Sequence, residues 1–129
     1  MKTIGVGVIL KTKAGTYLLQ ERDYNTRLHP GRIAPFGGAL DSGEDAYEGA
    51  RRELYEELAL TLNKSRLEEI GPFSSYHKPE TYIQMFLVKD IDKNILRLQE
   101  GKSIVEMSLE EALESENVTD FTKEVLRSL

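Results

Sequence analysis

Between Gly38 and Leu60 the chain reads GALDSGEDAYEGARRELYEELAL. The turn-forming residues Asp41-Ser42-Gly43 precede a stretch with helical periodicity that carries Arg52-Glu53-Leu54-Tyr55-Glu56-Glu57. Glu53, Glu56 and Glu57 stand at i, i+3 and i+4, so they share one helix face. Carboxylates packed together repel unless a cation sits among them, and hard divalent ions such as Mg²⁺ take oxygen ligands. Tyr47, Ala50, Leu54 and Leu58 form an apolar stripe beside the acids. Such a helix packs on a sheet and holds its acids at the edge of a cleft. Asp45 is the expected N-cap, Glu48 three residues on completes a capping box, and the helix runs to about Leu58.

The remaining segments supply a sheet. Residues 3–11 alternate and are rich in β-branched side chains, Ala14-Gly15 makes a turn, and TYLLQER returns as the second strand of a hairpin. Residues 23–32 are polar, contain Pro30-Gly31 and read as a loop. A short strand near Ile33–Phe36 leads into Gly37-Gly38. Residues 66–77 and 80–90 read as two strands joined around Lys78-Pro79, and Ser103–Met107 as a further short strand. Ser108 opens a helix with Glu111 closing a second capping box, and a last helix covers about Asp120–Leu129. The fold class is α/β, with helices packed on a central sheet.

Length and composition bound the function. A chain of 129 residues has room for one domain with a core, so 1–129 is expected to be a single unit. Cysteine is absent, which excludes disulfides and thiolate metal sites. No apolar run spans a bilayer, no secretory leader is expected, and a cytoplasmic location without membrane partners is the default. A net charge of −5 argues against binding a nucleic-acid polymer through its backbone. A phosphate-bearing small molecule remains open, because a metal inverts the local field.

The spacing Gly38, five residues, Glu44, seven residues, Arg52-Glu53-Leu54, Glu56-Glu57 and Leu60 resembles the signature of the Nudix hydrolase family. Two positions depart from it. Ala59 stands where the family has Gly, and Pro35-Phe36-Gly37-Gly38 replaces the common Phe-Pro-Gly-Gly. If the helix ends at Ala59 in a left-handed turn, the alanine is strained by roughly 1–2 kcal/mol. The layout is similar to the MutT-like nucleotide pyrophosphohydrolases over nearly the whole chain. The resemblance implies a Nudix fold, an α/β/α sandwich with a central mixed β-sheet, and hydrolysis of a diphosphate linkage with Mg²⁺, for which Mn²⁺ can substitute. A nucleoside triphosphate cleaved to monophosphate and pyrophosphate is the favoured substrate. Dinucleoside polyphosphates and other nucleoside diphosphate derivatives are the alternative, and a non-catalytic nucleotide-binding module is the alternative of a different class. Such modules usually lose the carboxylates this chain keeps.

The resemblance also implies residue roles. Glu53, Glu56 and Glu57 would hold the metal together with the Gly38 carbonyl. Glu44 would support the site, pairing with Arg52, which orients a carboxylate. Glu100 resembles the extra loop carboxylate of many members, as a fourth ligand or a water-orienting base, with Glu53 the first choice for the base. Arg22 resembles a phosphate-binding arginine, its planar fork suiting phosphate. Tyr76, with Tyr82 and Phe73, either walls a base pocket or packs in the core. Asn117, Thr119 and Asp120 precede the last helix, where related enzymes read the base. His29 and His77 lack metal-ligand spacing and read as surface residues. Gly5 and Gly7 form no phosphate loop and are expected to allow close backbone approach within a sheet. The partner is a small nucleotide, and the protein is expected to be a monomer or homodimer.

Overall fold

The computed structural model describes residues 2–23, 31–101 and 103–129. Seven strands make one mixed sheet: β1 Lys2–Thr12, β2 Tyr17–Glu21, β3 Ile33–Ala34, β4 Phe36–Ala39, β5 Glu68–Ser74, β6 Thr81–Ile91 and β7 Ser103–Met107. The helices are α1 Ala46–Leu58, α2 Leu109–Glu114 and α3 Asp120–Arg127. The long β1 lies at the centre. It runs parallel to β6 along one edge, and along the other it pairs antiparallel first with β4 and then with β2.

Alternation along the central strands divides the core in two. Val6, Val8, Leu10, Phe86 and Val88 point to one face and pack against Ala50, Leu54 and Leu58 of α1. Ile9, Leu19, Met85 and Leu87 point to the other, where Ala112, Val125 and Leu126 of α2 and α3 cover them. Helices on both faces of a mixed sheet make the expected α/β/α sandwich. The expected apolar stripe of α1 holds, with the Tyr47 ring tilted against Phe86 at 4.9 Å between centroids. Leu54 and Leu58 are almost fully buried, and each such leucine contributes about 1.5–3 kcal/mol.

Three details bear on the site. The capping box at Asp45 forms as expected, the Glu48 N–H donating to Asp45 Oδ1 at 2.8 Å and the Asp45 N–H to Glu48 Oε1 at 3.0 Å. The single short strand expected near Ile33–Phe36 is instead two strands divided at Pro35. Proline cannot donate to a ladder. At this break the chain leaves β2, where Ala34 faces Gln20, and joins β1, where Phe36 faces Val8. Gly37 and Gly38 therefore lie within β4. Gly37 has φ +142°, and a Cβ there would stand 2.1 Å from the Val6 carbonyl oxygen, so only glycine fits.

Helix α1 ends at Ala59 in the left-handed region, φ 52° and ψ 35°, where a Cβ is penalised. The Ala59 N–H donates to the Tyr55 carbonyl at 2.9 Å and the Leu60 N–H to the Leu54 carbonyl at 3.3 Å, so the turn is held by hydrogen bonds. Ala59→Gly is therefore expected to stabilise the protein by about 1 kcal/mol, read as a higher midpoint in chemical denaturation with an unchanged slope.

Candidate active site

Arg52 is the hub of the acidic helix face. Its Nε donates to Glu44 Oε2 at 2.8 Å and its Nη2 to Glu44 Oε1 at 2.9 Å, a bidentate pair. Nη2 also donates to the Ala39 carbonyl at 3.0 Å, while Nη1 reaches Glu53 Oε1 at 3.0 Å and Glu56 Oε1 at 2.8 Å. All five guanidinium N–H groups are thereby engaged. Glu44 in turn accepts from the Asp41 N–H at 3.0 Å, which locks the turn before the helix. The Arg52 hydrogen bonds, with the Asp41 N–H, hold the Glu44 carboxyl down to about 2. The expected Glu44–Arg52 pair is thus present, and Arg52 touches Glu53 directly.

Glu57 points the other way, into the protein. It is 3% exposed, and its Oε1 accepts from the Gly37 N–H at 2.8 Å. Burial pushes its carboxyl up to about 8; the Gly37 N–H opposes this, and the Glu53 and Glu100 charges add to it. Burial also raises Glu53, against the pull of Arg52, and the two carboxyls hydrogen-bond each other. Without a cation, burial and neighbouring carboxylates hold both carboxyls above the usual carboxylate range. Gly38 makes room for it, since a Cβ there would stand 2.6 Å from Glu53 Oε1.

Glu56 is 40% exposed and turned onto Arg52. Among the described residues no three acidic or imidazole side chains converge as a ready metal cage. The oxygen donors nevertheless suit a hard divalent ion: one buried and one half-buried carboxyl, both raised in pKa, with a third within one helical turn. Glu100 stands close enough for its charge to raise Glu57. Its segment is tied to the end of α1, the Gln99 N–H donating to the Glu57 carbonyl at 2.7 Å and the Arg97 N–H to the Leu58 carbonyl at 2.9 Å.

A cavity of about 480 Å³ opens on the face opposite α1 and shares Gly37 and Gly38 with the carboxylate site. Gly5, Gly7, Ile83 and Met85 line it, and Arg22, Tyr76, Phe121 and Asp120 stand around it. Gly5 and Gly7 do permit close approach: a Cβ would meet the Gly38 carbonyl oxygen at 2.9 Å and the Met85 sulfur at 2.6 Å, respectively. They also leave this part of the cavity bare of side chains. Tyr76 donates to Glu124 Oε1 at 2.7 Å and stands edge-on to Phe121, centroids 6.0 Å apart. Phe73 supports Phe121 from beneath at 6.2 Å, and neither Phe73 nor Tyr82 lines the cavity. Thr119 and His77 also reach the lining.

Asn117 does not line the cavity. Its carbonyl accepts from the Ile33 N–H at 2.8 Å and from Arg32 Nε at 3.0 Å, so its main chain anchors the turn that presents Asp120. His29 and most of the 23–32 loop lie outside the described residues. Sequence reasoning missed Arg32, Phe121 and Gln20. Only Gln20 carried a signal, as a polar side chain in the otherwise apolar run Tyr17-Leu18-Leu19.

The NUDIX domain description matches residues 1–129. The chain belongs to the Nudix family. Members of this family generally use divalent metal ions. Among curated relatives, the Nudix chain is 32% identical over 79 residues to the m7GpppN-mRNA hydrolase NUDT17 of Bos taurus, covering 60% of this chain and 26% of that protein. It is 46% identical over 44 residues to an RNA pyrophosphohydrolase of Bradyrhizobium sp. (strain ORS 278), covering 34% of this chain and 26% of that one. The matched stretches thus span about a quarter of these relatives. The fold is similar to that of a MutT protein from Methanosarcina mazei Go1, with TM-score 0.78, 22% identity and coverage of 98% and 91%. A MutT NUDIX hydrolase from Burkholderia pseudomallei gives TM-score 0.77 at 19% identity, covering 100% and 99%. No helix among the described residues is long and apolar enough to cross a membrane.

The raised Nudix carboxyls make stability depend on pH. Unfolded, Glu57 ionises near 4.5, whereas folded it keeps its proton to about 8. Between these values the unfolded state binds fewer protons, so stability is highest below the lower value and falls as pH rises through the window. Glu53, also raised, adds to the same slope, while Glu44 at about 2 stays ionised throughout. The ion-free protein is therefore expected to lose on the order of a few kcal/mol between about pH 5 and pH 8. Glu57→Gln should flatten that loss, as measured by denaturant melts in chelator at both pH values.

Proposed function

We propose that this Nudix domain is a hydrolase that cleaves the phosphoanhydride of a small nucleotide with Mg²⁺, giving a nucleoside monophosphate and pyrophosphate from a triphosphate. The observation that carries the reading is the Glu53–Glu57 pair, packed against Gly38 and Gly37, the same two glycines that border the cavity, with both carboxyls raised in pKa by burial. A group that must hold a proton at neutral pH is one that a divalent cation relieves. Glu53, Glu56 and Glu57, with the Gly38 carbonyl and Glu100, would hold the ion, Glu56 releasing Arg52 to do so. Bound there, Mg²⁺ (or Mn²⁺) supplies positive charge to the phosphate oxygens and acidity to water.

The chain's own groups do the rest. Glu53, oriented by Arg52, takes the proton of the attacking water, with Glu100 the second candidate. Glu44 keeps Arg52 in place while Glu56 exchanges partners. Arg22 offers its fork to a phosphate, and the cavity seats the base between the bare glycines and Phe121, with Tyr76 and Asp120 at its edge. Phosphates then cross Gly37 and Gly38 toward the carboxyls. A second reading, removal of pyrophosphate from the 5′ end of RNA, is favoured by the RNA substrates named for two relatives. The net charge of −5 weighs against it.

Hydrolysis is expected to stop in EDTA, and Glu56→Gln or Glu57→Gln to lower turnover by about 10² or more with the fold retained. A panel of nucleoside triphosphates, dinucleoside polyphosphates and 5′-triphosphorylated RNA, followed by pyrophosphate release, tests the substrate class. Full activity in chelator, or inorganic phosphate as the sole product, overturns the reading. Selection should separate from chemistry. Asp120→Ala or Tyr76→Ala is expected to reorder the bases by about tenfold, since both line the cavity away from the carboxyls, whereas Glu57→Gln lowers all substrates together.

A further inference from the structure

We infer that Gln20 is a positioning residue that fixes where Glu100 stands relative to the carboxyls of α1. The inference rests on the proposed role of Glu100 in the reaction. Gln20 is 4% exposed and lies on β2 between two paired strands, facing Ala34 of β3 and Ile104 of β7. By strand alternation its side chain shares the face of Leu18, the face covered by α1. Its Nε2 donates to the Glu100 carbonyl at 3.4 Å, a long bond. The stronger sign is steric. Gly101 has φ +87°, and a Cβ there would stand 2.5 Å from Gln20 Nε2 and 3.1 Å from its Cδ. The loop therefore lies directly on the Gln20 amide, and its left-handed φ at Gly101 favours glycine there.

Two other ties hold the same segment, from the Gln99 and Arg97 N–H groups to the last carbonyls of α1. Both lie on the N-terminal side of Glu100; on the other side β7 begins at Ser103, which pairs with Glu21 and donates its Oγ to Glu21 Oε1 at 2.8 Å. Gln20 holds the Glu100–Gly101 peptide itself, and so determines the direction in which the Glu100 side chain leaves the loop. Core stability gives no reason for an amide here. A buried amide is costly unless bonded, and an apolar side chain of equal length fills the same space. What an apolar replacement cannot do is hold the carbonyl before Gly101.

The test is a double-mutant cycle on the full chain with Mg²⁺ and the best substrate of the panel. Gln20→Met is expected to lower kcat by about tenfold with KM changed less than about twofold, because substrate contacts are untouched. In a Glu100→Gln background the same substitution should cost less than about twofold, since the residue it positions is already disabled. Gly101→Ala, which presses on the amide from the loop side, should give the same loss and the same cancellation, and it keeps the test open if Gln20→Met does not fold. Amide hydrogen exchange in the ion-free protein supplies a readout independent of catalysis: Gln20→Met should speed exchange at the hydrogen-bonded Gln99 amide next to Glu100 by about tenfold with the thermal midpoint unchanged. Losses that multiply in the double variant, an unaltered kcat, or exchange unchanged at the Gln99 amide overturn the inference. If the unsubstituted protein hydrolyses nothing on the panel, the proposed function fails, and the exchange measurement still decides whether Gln20 holds the loop.

Discussion

One guanidinium carries most of the electrostatic burden of this molecule. Asp41, Glu44, Glu53 and Glu56 all place a carboxylate oxygen within 3.2 Å of Arg52, and Glu57 lies just beyond them. A single positive charge cannot balance five acids. The imbalance is resolved unevenly: Glu44, held bidentately, is driven to about 2, while Glu57, buried and far from the arginine's reach, is driven to about 8. Two carboxyls of one site thus differ widely in acidity for reasons of environment alone. The acids that keep a proton are the ones that a cation can use.

This arrangement depends on bare backbone. Gly37 lets β4 lie against β1 and turns an N–H onto Glu57, and Gly38 leaves space for the Glu53 carboxylate. Behind them, Gly5 and Gly7 bring β1 close to β4 and β6 and leave part of the cavity wall without side chains. Sites on opposite faces of a sheet are ordinarily separated by its thickness. Here Gly37 and Gly38 of β4 lie between them, so the cavity and the carboxyls meet across bare backbone at those two positions.

The helix and its acids were legible in the sequence because they are local. Capping at Asp45, the stripe of Tyr47, Ala50, Leu54 and Leu58, and the i, i+3, i+4 spacing of the glutamates are set by neighbours within a few turns. The strain at Ala59 was legible for the same reason. The division at Pro35 was not, since it depends on β3 and β4 finding different partners, β2 and β1. Nor was the behaviour of Glu56, whose spacing matches that of Glu53 and Glu57 but whose carboxylate turns to Arg52. Spacing specifies a helix face; it does not say which acceptor a rotamer will meet.

The longer the contact in sequence, the less the residues announce it. Gln20 meets Gly101, Tyr76 meets Glu124 and Arg32 meets Asn117 only because the strands and helices have been brought together. Asn117 illustrates the consequence: its residue type suggests base contact, yet packing commits its main chain to β3 and leaves Asp120 at the cavity. The sequence by itself determined the family, the acidic helix and the class of ion those oxygens suit, because these follow from periodicity and donor chemistry. Tertiary structure alone decided which carboxyls are buried, which one the arginine holds, and what surrounds the cavity, because burial and charge neighbourhood are properties of the folded chain.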